Sequence, residues 1–257
     1  MSRGRRRVRA ARRFDRGVRG LVWLALLAAI GWGLFVWARA RPQDMPWTPL
    51  DLAQPAGMFT RGKLVALRDE PGQCKLLLER AGAQFEALPP RKDGAQCGYD
   101  DAVRLSRGGA RTVGYAPANL GIACPVAAAL SMWEWQVVQP AARRHFGQQV
   151  DTIEHFGSYN CRRMYGRDQG AWSEHATANA VDIAAFRLSD GTRVSIVSDW
   201  DGKGERGPAK AAFLREVRDG ACDTFATVLS PDYNAAHRDH FHLDQADRGA
   251  MSWGACR

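Results

Sequence analysis

The sequence predicts an α+β fold: a small antiparallel sheet flanked by helices and preceded by an N-terminal transmembrane helix. Three observations carry this expectation. Short runs with period-two alternation, such as "NAVDIAAF" and "DHFHLDQ", read as strands. Segments such as "CPVAAALSMWEW" and "PAKAAFLREVRDG" place apolar residues at helical spacing. The two kinds of segment are mixed without a regular βαβ alternation, which argues against a parallel α/β architecture.

The chain divides by composition. Residues 1–20 form a basic tail whose nine arginines and one aspartate account for +8 of the net charge of +9, so the remaining 237 residues are nearly neutral. A nucleic-acid binder should carry its basic footprint on the folded domain, so nucleic acid is not an expected partner. Residues 21–38, "LVWLALLAAIGWGLFVWA", are uncharged. That run is just long enough to cross ~30 Å of hydrocarbon. The arginines before it place the N-terminus in the cytoplasm and send the rest outward, as expected of a single-pass inner-membrane protein with a periplasmic domain. A cleaved signal peptide is the alternative, helped by Ala38-Arg39-Ala40, but the apolar run exceeds a usual signal core and favours a retained anchor.

Residues 39–58 contain four prolines and read as a stiff linker or extended arm. Residues 59–123 read as a small irregular subdomain, with a helix over Gly72–Ala83 stopped by Gly82, a loop around "PPRKDGAQCGYDD", and a short strand at Ala102–Leu105. Residues 124–257 are the main domain. Pro125 sits in the first turn of a helix, Pro140 should break or kink it, and "PAARRHF" carries it on to Gly147. Strands are expected in "DTIEHFGSY", "NAVDIAAFRL", "TRVSIVSDW" and "DHFHLDQA", with an amphipathic helix over Pro208–Leu229 that has Gly220 near a break.

The six cysteines, Cys74, Cys97, Cys124, Cys161, Cys222 and Cys256, form no C-x-x-C pair. In an exported chain they read as up to three disulfides rather than a zinc ribbon or redox motif. Sequence alone does not choose among 15 connectivities. Closeness favours Cys74–Cys97, and buried free thiols are the alternative.

The chemistry concentrates in two stretches. "SEHATANAVDIAAF" holds His175 and Asp182, and alternation puts Asp182 on a strand face with Ala180 and Ala184. "HRDHFHLDQ" puts His240, His242 and Asp244 on one face and Phe241 and Leu243 on the other. One imidazole, one carboxylate and a second imidazole make a three-ligand Zn²⁺ site, which leaves a fourth position open for catalysis. A further imidazole nearby can move protons.

Ser173-x-His175 … Ala180-x-Asp182 resembles the S-x-H-x-x-G-x-A-x-D motif of LAS-type zinc peptidases, the group of D-Ala-D-Ala carboxypeptidases, dipeptidases and murein endopeptidases. His240-x-His242 is similar to their second motif. The run from about Cys124 to the C-terminus, including "GSYNCRR", "WSEHATANAVDIAAF" and "DYNAAHRDHFHLDQ", resembles the bacterial extensin-like C-terminal domain family, more weakly back to about Pro46. The resemblance implies that His175, Asp182 and His242 bind zinc, that His240 is the catalytic imidazole, and that Ser173 supports the site. It also implies a substrate-holding arginine before the first motif, for which Arg162 and Arg163 are the candidates. It implies hydrolysis of peptidoglycan peptides at D-amino-acid amides, by endopeptidase or carboxypeptidase action. A non-catalytic peptidoglycan-binding protein is the alternative. Ala178 stands where the motif has glycine, so the loop holding His175 is expected to differ.

Overall fold

The computed structural model describes residues 3–110, 112–249 and 255–257. It has the expected α+β class, and the first element is helix α1, Arg3–Ala40. Within it, Gly17–Ala40 is long and apolar enough to cross a membrane, its most apolar 18 residues having a mean hydropathy of 2.1. The basic tail is not a separate unit: arginine is a good helix former, and the helix is continuous from Arg3. Residues 1–2 of that tail lie outside the described residues.

Residues 41–58, expected as a linker, pack onto the body instead. A 3-10 turn at Pro42–Asp44 follows the helix almost at once. Met45, Leu50 and Leu52 are buried, and the side chain of Gln136 accepts from Ala56 N (2.8 Å) and donates to Gln54 O (2.8 Å). The prolines stiffen this segment, but its apolar residues decide where it lies.

Helices α2 (Thr60–Ala66) and α3 (Pro71–Arg80) come next, and Gly82 ends the second in a left-handed conformation (φ +73°), as its position predicts. Strands β1 (Ala83–Ala87), β4 (Val103–Gly109) and β6 (Gly121–Ile122) pair in the order β1-β4-β6. The expected loop is in fact a hairpin of β2 (Arg91–Gly94) and β3 (Cys97–Tyr99). All four residues of β2 are exposed, so no hydrophobic alternation betrays it. Strand β5 (Gly114–Ala116) leaves this region to join the main sheet.

Helix α4 (Cys124–Trp133) has Pro125 in its first turn, and all ten of its residues are buried. It runs through a π turn at Glu134–Val138 into α5 (Gln139–Phe146), which Gly147 ends at φ +67°. Pro140 therefore does not break the run but is accompanied by a local departure from α geometry just before it. The wide π turn absorbs the missing N–H and the ring that would clash one turn back.

The main sheet is formed by β7 (Val150–Gly157), β8 (Ala180–Leu188), β9 (Arg193–Ser195), β10 (Thr227–Leu229), β11 (Phe241–Asp244), β12 (Ala255–Cys256) and β5. Its order is β12-β10-β11-β8-β7-β5, with β9 also paired to β8. The centre is antiparallel, while β5·β7 and β10·β12 at the margins are parallel. The sheet is thus larger and more mixed than expected. "IVSD" forms the short helix α6 (Ile196–Asp199) instead of extending β9, and the Asp199 carboxylate accepts from Ser195 N (2.7 Å). Helix α7 (Gly207–Ala221) packs against α5. It ends at Ala221, one residue past Gly220, so the break falls near that glycine as expected, and Thr227–Leu229 at the end of the expected helix is strand β10 instead. A methyl group on Gly220 would lie 2.4 Å from Val137, so the glycine permits close helix packing.

One hydrophobic cluster runs from Leu50 to Leu243, across the expected boundary at residue 124. Trp133 sits at its centre against Phe186 and Phe225, its indole N–H bonded to Val217 O (2.8 Å). Three disulfides, Cys74–Cys124, Cys97–Cys161 and Cys222–Cys256, use all six cysteines. The favoured Cys74–Cys97 pair is not among them. Cys74 is buried on α3 against the start of α4, whereas Cys97 lies on the hairpin beside the segment after β7. Nearness along the chain did not translate into nearness in space.

Candidate metal centre

The site is built on the middle of the main sheet. Register pairs His242 of β11 directly with Asp182 of β8, while Phe241 and Ile183 pair beside them and point to the core. Alternation thus sends the imidazole and the carboxylate to the same face. His175 comes from a 3-10 turn, Glu174–Thr177, that precedes β8. Ser173 caps this turn, and its hydroxyl accepts from His175 N (3.4 Å). At the other end of the turn Ala178 adopts a left-handed conformation (φ +56°), which glycine takes at less cost than alanine. Ala178 is fully buried, and its carbonyl accepts from Ala123 N (2.9 Å) and Ser158 Oγ (3.2 Å), which hold it there.

The three side chains converge. His175 Nε2 lies 3.2 Å from Asp182 Oδ2 and 3.2 Å from His242 Nδ1, and His242 Nδ1 lies 3.0 Å from Asp182 Oδ1. Donors ~2.0–2.1 Å from a tetrahedral metal stand ~3.3 Å from one another. The gap between the two imidazoles is close to that spacing, the carboxylate turns a different oxygen to each imidazole, and one donor from each residue lies within 4.8 Å of the others.

The outer nitrogens are fixed as well. His175 Nδ1 donates to Ser158 O (2.5 Å), a carbonyl that can only accept, which leaves its Nε2 lone pair facing the centre. His242 Nε2 donates to Asp244 Oδ2 (3.0 Å), which turns its Nδ1 inward. A carboxylate or carbonyl behind each imidazole is the usual support of metal-ligating histidines. Without a metal, the same geometry crowds two lone pairs and a carboxylate. Burial opposes charge on His242, but hydrogen bonds to Asp182 and Asp244, and their charges, raise its pKa to about 9. Burial alone would raise Asp182, but the hydrogen bonds and charges of His175 and His242 hold it far below the usual carboxylate range.

His240 stands just before β11, with Nε2 3.6 Å from Asp182 Oδ1, Nδ1 bonded to Asp239 Oδ1 (2.9 Å) and the exposed ring of Phe156 edge-on to it. His237 is buried, 5.2 Å from the His240 ring, with Nδ1 bonded to Asn234 Oδ1 (2.8 Å). Burial, and then the neighbouring His240 and His242, lower its pKa to about 4. Three imidazoles and one carboxylate thus come together, His242 and Asp182 by strand alternation and His175 from its turn, with His237 as a fourth imidazole at the edge.

The arginines fall elsewhere than expected. "SYNCRR" is not strand: β7 ends at Gly157 (φ +122°), and the segment turns away to reach Cys97. Arg163 lies over Trp172 (4.5 Å) and donates to Gly170 O, while the Arg162 carbonyl accepts from Ser173 N (3.1 Å). Among the described residues no hydrogen bond or ion pair joins either guanidinium to the three ligands. Ser158 and Asp244 were not singled out as supports. Asp244 could have been, since it shares the face of His242. The Ser158 contact is through a backbone carbonyl, which no side-chain pattern reveals.

The extensin-like protein C-terminus family model matches residues 72–257. No curated protein and no solved structure matches the chain. The matched stretch takes in all three candidate ligands, their supports and every described strand, and starts well before the strong resemblance at Cys124. By that match, the chain belongs to the extensin-like C-terminal family.

Proposed function

We propose that this chain is a zinc-dependent peptidase of the bacterial cell envelope that hydrolyses peptidoglycan peptides at D-amino-acid amides. The observation that carries the reading is the convergence of His175, Asp182 and His242, with one donor from each within 4.8 Å of the others and both imidazoles backed by an acceptor. These three residues would hold the metal. When bound, zinc supplies a Lewis acid and lowers the pKa of water towards ~7. Ser158 O and Asp244 fix the two ring orientations, and Ser173 holds the turn that carries His175. His240 is the proton carrier: its Nδ1 is committed to Asp239, so its Nε2, on the Asp182 side, is free to take and return a proton. Of the two arginines, Arg162 is the better candidate for a substrate carboxylate, because Arg163 is engaged with Trp172 and Gly170.

In this reading α1 anchors the protein in the inner membrane, with the basic end inside and the body in the periplasm. Three disulfides suit such an oxidising, non-cytoplasmic setting. The test is a digestion. The full chain in detergent is incubated with crosslinked muropeptides, with and without chelator, beside His242→Ala, and products are read by mass spectrometry. Cleavage that needs both metal and His242 supports the peptidase, and the fragment masses identify the bond. A folded, zinc-loaded protein that cuts nothing would overturn it in favour of wall binding without catalysis.

A further inference from the structure

The stretch after α1 leaves large apolar side chains in solvent while fastening its backbone to the body. Trp47 is 76% exposed, Met58 78% and Phe59 37%. Their neighbours Met45, Leu50, Leu52, Thr60 and Leu64 are buried, so the segment is not loose. Each exposed residue is tied to the turn that follows the membrane-crossing helix. The hydroxyl of Thr48, next to Trp47, donates to Pro42 O and accepts from Lys63 Nζ (2.9 Å). Met58 N donates to Asp44 Oδ1 (2.8 Å), and Phe59 N donates to Gln43 O (3.2 Å).

Those anchoring residues lie only two to four positions beyond Ala40, where α1 ends. Two extended steps and a 3-10 turn reach no further than about 12 Å. The headgroup layer outside the hydrocarbon is itself roughly 5–8 Å deep. The short connection and these hydrogen bonds together hold the backbone of all three residues near the point where the helix leaves the bilayer. Tryptophan favours that interface.

We propose that Trp47, Met58 and Phe59 form a bilayer-docking surface that seats the body on the lipid interface beside the helix exit. The inference rests on the retained anchor proposed above and adds a second, lateral contact with the membrane.

The test uses the full chain in vesicles of phosphatidylethanolamine and phosphatidylglycerol. All six native cysteines are paired, so Met58→Cys or Trp47→Cys supplies a single thiol for a nitroxide label. Ile30→Cys marks the span, and Val197→Cys, 61% exposed on the body, marks the aqueous side. Accessibility to oxygen, which enters lipid, is compared with that to a water-soluble nickel complex. Labels at 47 and 58 should favour oxygen several-fold over the label at 197, approaching the label at 30. If 58 reads like 197 while 30 reads as lipid, the docking surface is refuted and the anchor stands. If neither reagent reaches 47 and 58, protein covers them and the inference also fails. If mass spectrometry finds the mature chain without residue 30, the anchor fails and the inference with it.

Discussion

In the metal-free protein, raising the pH from 6.5 to 9 should remove stability that zinc binding restores. His242 has a folded pKa of about 9 against an ordinary 6.5. A histidine whose pKa is raised on folding stabilises the protein fully below the unfolded value, and that contribution is lost as pH climbs through the folded one. The interval, at ~1.4 kcal/mol per factor of ten, is worth roughly 3 kcal/mol. The same ion pair lowers Asp182, so it is counted once. For a body of about 200 residues this corresponds to a fall in Tm of roughly 6–12 °C. Zinc held there as proposed should reverse the trend, because its binding must expel the His242 proton. Apparent affinity should therefore rise about tenfold per pH unit below pH 9, and stabilisation by excess zinc by ~1.4 kcal/mol per unit. Thermal unfolding of the full chain in detergent, chelated and zinc-loaded, measures both. A metal-free Tm that stays flat or rises between pH 6.5 and 9, or a zinc-induced shift independent of pH, would refute the claim that metal and proton compete for this centre.

Other outcomes follow from individual contacts. Asp244→Ala leaves all three ligands but frees the His242 ring, and should weaken zinc affinity by about 10–100-fold in a competition titration with a chelating dye. His237 has its pKa pushed down to about 4 by burial and by its histidine neighbours, so the metal-free protein should lose stability as pH falls from 6.5 towards 4; His237→Asn should flatten that limb in the same unfolding series. Ala178→Gly relieves a left-handed alanine at ~1–2 kcal/mol and removes a buried methyl worth ~0.8 kcal/mol, for a net gain of up to about 1 kcal/mol in denaturant unfolding. A loss of more than about 1 kcal/mol would mean that the methyl packs better than its backbone is strained. Gly220→Ala forces a methyl against Val137 and should cost ~1–3 kcal/mol in the same assay.

The parts of this fold legible in the sequence are those set by local chemistry. Pro125 and Gly147 mark the two ends of the α4–α5 run, and Gly82 ends α3. Alternation in "NAVDIAAF" and "HFHLD" identifies the two strands that carry the site and the face on which Asp182 and His242 lie. What stays hidden is long-range. No local pattern says that β11 lies beside β8 with His242 opposite Asp182, or that Cys97 meets Cys161 across 64 residues. Strands of two or three residues, such as β10 and β12, are too short to show a period, and β2 is exposed on both faces. The support of His175 by Ser158 is a main-chain contact, and residue type says nothing about it.

The near absence of slack between Ala40 and Pro42 also limits where such an enzyme could work. A leash of one residue offers no radius of its own, so the working distance is set by the size of the body. A compact domain of about 200 residues measures roughly 45 Å across. Substrate would have to come within that depth of the membrane surface. The protein would then serve only the innermost layer of the wall, and more distant strands would stay beyond its reach however abundant their bonds.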